Sequence, residues 1–353
     1  MKNLRVYIVF LIIFCSAFSS GNSIVLRMFQ DKTVDIIKNR AKGKYGEAFK
    51  DKISFKKIFC LGVKEGPDYL MFGRYIIMDT DTQENIFIFD RQKSVLYKFD
   101  KAGKFVWKTG RSGQGPGEFK SPHEVKATND GGVIIVDQAG KLKFFNDSGE
   151  YIKTIHLEKS IKSIINTESD RIFANIVVRG QPGISAAYFN KKGELIEYFP
   201  FEYHFGPKIP PTRYFNLGGE FRQFDDLIFL SIPDKYEILI FSADGKIIEK
   251  ILVNRKLQKS YLEDGYNFIV GDRSGPCYIS TGGFFVNRLS IKEDELRRDC
   301  LDFFDSEYHL LGTIPLSENE YLIKVDSFGN FYILQTDPFL KLDKYEIDIE
   351  DDW

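Results

Sequence analysis

Several polar side chains stand on or beside short apolar segments, where they could bind a ligand. An arginine guanidinium can donate two parallel hydrogen bonds to a carboxylate or phosphate. Imidazole exchanges protons near neutral pH, and His123 directly follows Pro122, where one apolar segment opens. A structural interpretation stays open for each residue, because surface arginines form ion pairs and a histidine can donate to a backbone carbonyl. The candidate ligand-binding residues are Arg74, Arg111, His123, Glu124 and Arg213.

A second group of side chains carries oxygen atoms that could bind a metal ion if the fold brought them together. Calcium prefers carboxylate and amide oxygens. The chain has only four histidines and none forms a spaced pair, which disfavours zinc. Five scattered polar residues arise readily by chance, so we expect no metal or other cofactor, with calcium as the alternative. The calcium candidates are Glu124, Asn166, Asn216, Asn267 and Asp326.

Other chemistries lack their motifs. The chain contains no Gly-x-Ser-x-Gly and no Cys-x-x-Cys sequence. Residues 110–119 read GRSGQGPGEF, which superficially suggests a phosphate-binding loop, but no helix follows to supply its N-terminal dipole. The charge is balanced, with 49 basic and 50 acidic residues. A nucleic-acid partner is therefore not expected, because such proteins need a basic surface.

The N-terminus has the pattern of a secretory signal peptide. Lys2 and Arg5 precede an apolar run from Val6 to Phe14, and small residues follow. We expect residues 1–20 to be removed and the protein to be secreted or periplasmic. An uncleaved anchor is an alternative, although the apolar run is short for a membrane span. Lipidation of Cys15 is another, although Phe14 stands where a small residue is preferred. These are the two routes by which we expect any membrane association.

Three cysteines remain after the predicted signal peptide: Cys60, Cys277 and Cys300. An odd and small number argues against a disulfide framework. Cys277 and Cys300 are predicted to lie on neighbouring strands and could pair there. They could equally be buried thiols that act as small hydrophobic side chains.

A sequence pattern recurs six times and predicts the fold. Each unit has an apolar run such as IFIF or VIIV, then a turn, a run ending in an aromatic residue, and a turn closing near Gly. Consecutive apolar residues indicate a strand covered on both faces, and periods near 40 to 50 residues are typical of propellers. We therefore predict an all-β, six-bladed β-propeller with four antiparallel strands per blade. The aromatic markers are Phe99, Phe145, Phe189, Phe241, Phe304 and Tyr345.

The glycine-rich segment 110–119 has a place in this arrangement. It follows the predicted outermost strand KFVWKT and precedes the predicted innermost strand HEVKAT. The chain must there cross from the rim of one blade to the axis beside the next. Glycines permit positive φ and close backbone contacts, while Pro116 and Pro122 stiffen the path.

This combination resembles the NHL repeat, and the chain resembles six-bladed β-propeller proteins of the bacterial cell envelope. The resemblance covers roughly residues 53–350 and is most specific over 82–155. The matching residues are Gly110, Gly113, Gly115, Gly117, Phe119, Pro122, Val136, Asp137 and Gly149.

The repeat boundaries predict the domain organisation. Residues 1–20 are the signal peptide, 21–52 an N-terminal extension, and 53–353 the propeller. The last unit supplies only three strands, whereas ISFKKIFCLG at 53–62 resembles an isolated outermost strand. We expect this segment to complete the C-terminal blade, because closure leaves no long strand edge open. Residues 254–268 are predicted to be an insertion.

The functional expectation is a monomeric binding or scaffold protein that recognises a protein, peptide or glycan through a loop face or the axial channel. The alternative is a calcium-dependent enzyme of the lactonase or lyase type acting at the axis, which the family resemblance implies. The predicted inner strands that would line the axis are LMFGRYIIM, HEVKAT, IKSIIN, RYFNLGGEF, YNFIVG and YLIKVD.

Overall fold

The computed structural model describes residues 35–350, except 168–170, 177–183, 202–220, 225, 233–235, 243–245, 256–260, 263–268, 271–272, 280–284 and 294–295. The predicted signal peptide and Cys15 lie outside these residues. Apart from short 3-10 helices, the regular structure of the described chain is β-strand. None of its helices is long and apolar enough to cross a membrane.

The chain folds as a six-bladed β-propeller, and each blade is a four-stranded antiparallel unit. Two strands, β1 (Asp35–Arg40) and β2 (Ile53–Leu61), precede the first blade and flank a 3-10 helix at Gly46–Asp51. Blades 1, 2 and 3 consist of β3 (Ile76–Thr80), β4 (Ile86–Asp90), β5 (Val95–Phe99), β6 (Phe105–Thr109), β7 (Glu124–Ala127), β8 (Val133–Asp137), β9 (Lys141–Phe145), β10 (Tyr151–His156), β11 (Ile161–Thr167), β12 (Arg171–Ile176), β13 (Ile184–Asn190) and β14 (Leu195–Phe201).

The other three blades complete the ring. Two further short 3-10 helices lie at Asp68–Leu70 and Gln138–Gly140. Between blades 4 and 5, β19, which lies within the predicted insertion, and β20, which directly follows it, form a separate two-stranded sheet. The remaining strands are β15 (Phe221–Phe224), β16 (Leu227–Ile232), β17 (Glu237–Phe241), β18 (Ile247–Asn254), β19 (Tyr261–Leu262), β20 (Ile269–Val270), β21 (Arg273–Ile279), β22 (Phe285–Glu293), β23 (Leu296–Phe304), β24 (Leu310–Pro315), β25 (Glu320–Val325), β26 (Phe331–Gln335) and β27 (Lys341–Ile349).

The innermost strands meet around the axis. The first strand of each blade contacts the first strand of the next, and β25 contacts β3 to close the circle. The second strands explain the apolar runs of the sequence, since every residue of β4 and β8 is buried. Each pair of neighbouring blades encloses its own hydrophobic core, as where Phe87 and Phe89 of blade 1 meet Ile135 and Phe145 of blade 2. These cores cover both faces of each sheet, as the sequence predicts.

The ring closes through the N-terminal strand β2. It pairs antiparallel with β27, from Ile53 opposite Ile349 to Leu61 opposite Leu342. The prediction that ISFKKIFCLG completes the last blade is confirmed.

The segment before β2 makes contacts that the sequence analysis did not predict. β1 pairs in parallel with β18 and adds a fifth strand to the outer edge of blade 4. Phe49, in the following 3-10 helix, is fully buried in the core between blades 5 and 6. Gly312 leaves room for its ring, because a Cβ there would overlap Phe49. Residues before the repeat therefore join three blades.

The glycine-rich crossing between β6 and β7 follows the prediction. Gly110, Gly113 and Gly117 all have positive φ, and the crossing is held by a parallel bridge between Ser112 and Phe119. Phe119 is fully buried between blades 1 and 2. A Cβ on Gly110 would overlap the Phe119 ring, so this glycine is required for space as well as conformation.

Blade 5 differs from the sequence interpretation. Of the predicted inner strand YNFIVG, only Ile269–Val270 is described, and these residues pair with β19 in a separate sheet instead of joining the ring of inner strands. The innermost strand of this blade is instead β21, which contains GPCYI. Cys277 and Cys300 then lie on β21 and β23, separated by β22, so their prediction as neighbours is wrong. Strands two apart are about 10 Å distant, beyond the Cα separation of a disulfide.

Candidate functional site

The six innermost strands enclose an axial cavity of about 440 Å³. Side chains from all six blades line it, so the site exists only once the ring has closed. Each inner strand opens its blade and runs in the same direction along the axis. The cavity therefore has two ends, called here the His123 mouth, where the strands begin, and the Ser327 mouth, where they end.

Asp79 and two lysines form a charged cluster between blades 6, 1 and 2. The Lys324 ammonium donates to Asp79 Oδ1 at 2.5 Å, and the Ala127 backbone N–H donates to Oδ2 at 3.0 Å. Burial alone would raise the pKa of Asp79. The charges of Lys324 and Lys126, together with these hydrogen bonds, instead lower that pKa below its ordinary value. Asp79 is therefore ionised at neutral pH.

Lys126 is the member of the cluster that lacks a close partner. Among the described residues, no hydrogen bond or ion pair reaches its ammonium group, which lies in the wall of the cavity. Burial lowers the pKa of Lys126, and the nearby positive charges of Lys324 and Arg222 lower it further, against the attraction of Asp79 and Glu124. The protonated side chain is thus held where its charge is incompletely compensated.

His123 and Glu124 join blade 2 to blade 3 near the His123 mouth. Glu124 Oε2 accepts a hydrogen bond from the Ile164 backbone N–H at 2.6 Å. His123 Nε2 lies 3.3 Å from the Ile161 carbonyl oxygen, the contact that its structural interpretation predicts. Burial lowers the pKa of His123, so the neutral ring can donate to that carbonyl at pH 7. Both side chains also line the cavity.

Two arginines line the cavity from blades 4 and 5. Arg222 lies on the inner strand β15, whereas Arg288 lies on the second strand of its blade, β22. Strand pairing skips Gly275 and Pro276 in β21, so a bulge lies beside Arg288. Arg288 donates to the Leu322 carbonyl at 3.0 Å and lies 3.5 Å from Asp299. Blade 5 thereby contributes a cation from its second strand.

The sequence-predicted binding residues are only partly brought together. His123 and Glu124 share the axial cavity. Arg74 instead lies before β3 and borders a separate surface groove with Tyr75 and Phe339. Arg111 lies on the glycine-rich crossing, where its exposed guanidinium pairs with Glu118 at 2.8 Å. Arg213 lies outside the described residues.

The predicted calcium ligands do not form a described site. Glu124 lines the cavity, but the carboxylate of Asp326 accepts from Phe328 N–H, Asn330 N–H and Tyr332 O–H in its own blade. The side chain of Asn166, and Asn216 and Asn267 altogether, lie outside what the structure describes. Within the described chain, no group of three or more His, Cys, Asp or Glu side chains is placed to hold a metal ion.

Sequence reasoning missed Asp79, Lys126, Lys324 and Arg288. The three residues on inner strands interrupt otherwise apolar segments, in IIMDT, EVKA and YLIKV. A charged residue within a strand that faces the axis was the available signal. Arg288 gave no such signal, because its position depends on the bulge in the neighbouring strand.

The fold and the cavity define a class: the protein is a six-bladed β-propeller with a charged axial cavity. Residues 74–178 match the model of DUF5128, a family described as a six-bladed β-propeller. That match covers blade 1, blade 2 and part of blade 3. No curated protein matches the chain in sequence.

Solved structures show the same architecture. A protein of Bacteroides fragilis described as exported has a TM-score of 0.60 and 12% identity, over 90% of this chain and 100% of that chain. A DUF4221 member from Bacteroides vulgatus has a TM-score of 0.59 and 9% identity, over 85% and 99%. Virginiamycin B lyase from Staphylococcus aureus gives 0.48 and 9%, over 84% and 100%. At these identities the similarities to the two Bacteroides structures concern the fold alone.

Proposed function

We propose that the protein is a non-catalytic binding protein that receives part of a protein, peptide or glycan in its axial cavity. One observation carries this proposal: polar and charged side chains from blades 1, 2, 4, 5 and 6 converge on one cavity. A pocket with a few converging polar groups is the ordinary form of a ligand site. The volume, about 440 Å³, suits a single side chain or sugar unit better than a folded domain.

The proposal includes a location outside the cytoplasm. The basic start, apolar run and small residues of segment 1–20 support export by a signal peptide. NHL-type repeats belong to the same proposal, supported by the glycine-rich crossing and the Val136–Asp137 strand end. An exported propeller would meet peptides and glycans of the cell surface or surroundings.

Plugging the cavity tests this function. Ser327 is exposed at one mouth and His123 is half-buried at the other, so Ser327→Trp and His123→Trp each narrow one mouth. The full chain is screened against immobilised acidic and neutral peptides and oligosaccharides. We expect at least one plug to reduce binding of the recognised probe by about tenfold, which is 1.4 kcal/mol.

Phe328→Trp is the matched control, because Phe328 is exposed beside Ser327 but lies outside the cavity lining. It should leave binding unchanged. Equal binding by both plugged variants and the unmodified chain would contradict an axial site. It would indicate that the ligand binds to one of the loop faces instead.

A further inference from the structure

The described part of the cavity lining carries more positive than negative side chains. Among the residues that the structure describes, four ordinarily cationic side chains line the cavity, against the two carboxylates of Asp79 and Glu124. The whole chain is nearly neutral, with a formal charge of −1. The basic character is therefore concentrated at the axis rather than inherited from composition. The four cations are Lys126, Arg222, Arg288 and Lys324.

The described carboxylates neutralise only part of this set, in which Arg288 already lies 3.5 Å from Asp299. Asp79 is shared, because Lys324 donates to one of its oxygens while Lys126 lies near enough to lower its pKa. The other oxygen already accepts the Ala127 N–H. Glu124 is engaged by the Ile164 N–H. Since both carboxylates are in use, the Lys126 ammonium remains for a group that enters the cavity.

The cations come from opposite sides of the ring. Lys324 and Lys126 lie in blades 6 and 2, on either side of blade 1, whereas Arg222 lies in blade 4, across the axis from blade 1. An anion placed on the axis is thus attracted from several directions, and low-dielectric walls strengthen that attraction. The same arrangement repels a cation, including calcium.

The rest of the lining is suited to a hydroxylated ring. Gln223 and Ser327 contribute polar side chains to the lining, while Ile77, Ile164 and Ile323 contribute apolar surface. A sugar has hydroxyls at its edge and C–H groups on its faces, so it can use both kinds of surface. A peptide carboxylate would use the cations but few of the other polar groups.

Resting on the proposed function, we infer that the ligand is an acidic sugar whose carboxylate is held by Lys126 and whose hydroxyls bind the surrounding polar groups. The ligand class is a uronic acid, alone or at the end of an oligosaccharide. The carboxylate supplies the close negative partner that the Lys126 ammonium lacks among the described residues.

Titration calorimetry with the full chain tests this inference, with digalacturonate as the acidic probe and the uncharged digalactose as its counterpart. We expect saturable binding of digalacturonate that weakens with salt, and about tenfold weaker binding of digalactose. Lys126→Met should weaken digalacturonate binding about tenfold, whereas Lys126→Arg should retain most of it. Lys104→Met removes an exposed lysine of blade 1 and should change nothing.

Each contrary result has a separate meaning. No saturable binding of digalacturonate, or equal affinity for digalactose, overturns the inference. Full affinity in a folded Lys126→Met variant also overturns it, with circular dichroism reporting the fold. Preferential binding of triglutamate overturns the sugar assignment in favour of an acidic peptide. A neutral probe that is blocked by the plugs would leave the proposed function standing while removing the acidic ligand.

Discussion

Lys324 of blade 6 and Asp79 of blade 1 are joined by a hydrogen bond of 2.5 Å across the closure of the ring. The two residues are 245 positions apart in sequence, so the contact forms only when the first and last blades meet. The Asp79 carboxylate also binds the Ala127 N–H of blade 2. One side chain thus connects three consecutive blades at the axis.

Asp79→Asn should destabilise the fold strongly. The substitution removes the negative charge that attracts both Lys324 and Lys126, and breaking a buried pair in this way costs about 3–5 kcal/mol. Chemical denaturation measures the change in the free energy of unfolding. Asp348→Asn, at an exposed position of β27, should change it by less than about 0.5 kcal/mol. Equal effects of the two variants would show that the cluster does not stabilise closure.

Lys126→Met should have the opposite effect on stability. The folded state lowers the pKa of Lys126, so its charge opposes folding at every pH below the lowered value, and this cost disappears as the pH rises. Removing the charge should increase the free energy of unfolding at pH 7 by about 1 kcal/mol, the usual size of a stabilising substitution. Thermal unfolding of Lys126→Met, compared with that of the control variant Lys104→Met, measures this change. A destabilised Lys126→Met variant would contradict the description of an uncompensated ammonium.

Gly110→Ala should lower the free energy of unfolding by more than the positive φ of this position alone explains. Gly110 has a φ of 93°, and an added Cβ would overlap the Phe119 ring. Gly46 is the matched control, because its φ is also positive, at 57°, while its Cβ would meet only the Lys42 Cβ at 4.0 Å. We expect about 1 kcal/mol for Gly46→Ala and about 3 kcal/mol for Gly110→Ala. Similar losses in both would show that the crossing accommodates a methyl group.

Phe49→Ala should reveal that the segment before β2 belongs to the fold. The fully buried ring lies against Phe303, Leu311 and Gly312, and removing a core phenylalanine costs about 3–5 kcal/mol. Phe328→Ala, at a ring that is 53% exposed, should cost less than about 1 kcal/mol. Urea denaturation compares the free energies of unfolding of the two variants. A small loss of stability in Phe49→Ala would show that the segment before β2 contributes little to the fold.

Acid should weaken the glycine-rich crossing through Asp137. Its carboxylate accepts from Ser121 N–H at 2.7 Å and Gln138 N–H at 2.8 Å. Burial would raise the pKa of Asp137, but these hydrogen bonds lower it overall. A lowered folded-state pKa gives stability that is complete above the unfolded value, about 4, and is lost as the pH falls through the folded value. The denaturation midpoint should therefore decline below about pH 4, with a shallower decline in Asp137→Asn. Identical slopes would exclude this residue as the cause.

The sequence predicts the fold well because its signals are local. Consecutive apolar residues such as Ile86–Phe89 require cover on both faces, and the glycines of 110–117 require an unusual backbone path. The predicted innermost strand of blade 5, YNFIVG, is wrong because the actual innermost strand, β21, contains a Gly275–Pro276 bulge that cannot be inferred from periodicity. Phe49 was missed because one aromatic residue outside the repeat carries no period.

The site is harder to predict because it is assembled from distant segments. His123 stood out beside Pro122, and Glu124 beside it, and both line the cavity. Lys126 and Lys324 look like alternating surface residues of strands until the ring places both beside Asp79. Arg74 and Arg111 were placed on or beside inner strands, whereas the structure puts them in loops at the ends of blade 1. Position on an inner strand, rather than residue type, distinguishes Lys126 and Lys324, which line the cavity, from Arg74 and Arg111, which do not.

The most direct test of an axial site for an acidic sugar is the pKa of Lys126 itself, measured by nuclear magnetic resonance of the labelled lysine side chains with and without digalacturonate. A carboxylate bound beside the ammonium stabilises its charged form, so the Lys126 titration should move to higher pH in the complex. An unchanged Lys126 titration at saturating digalacturonate would contradict the site.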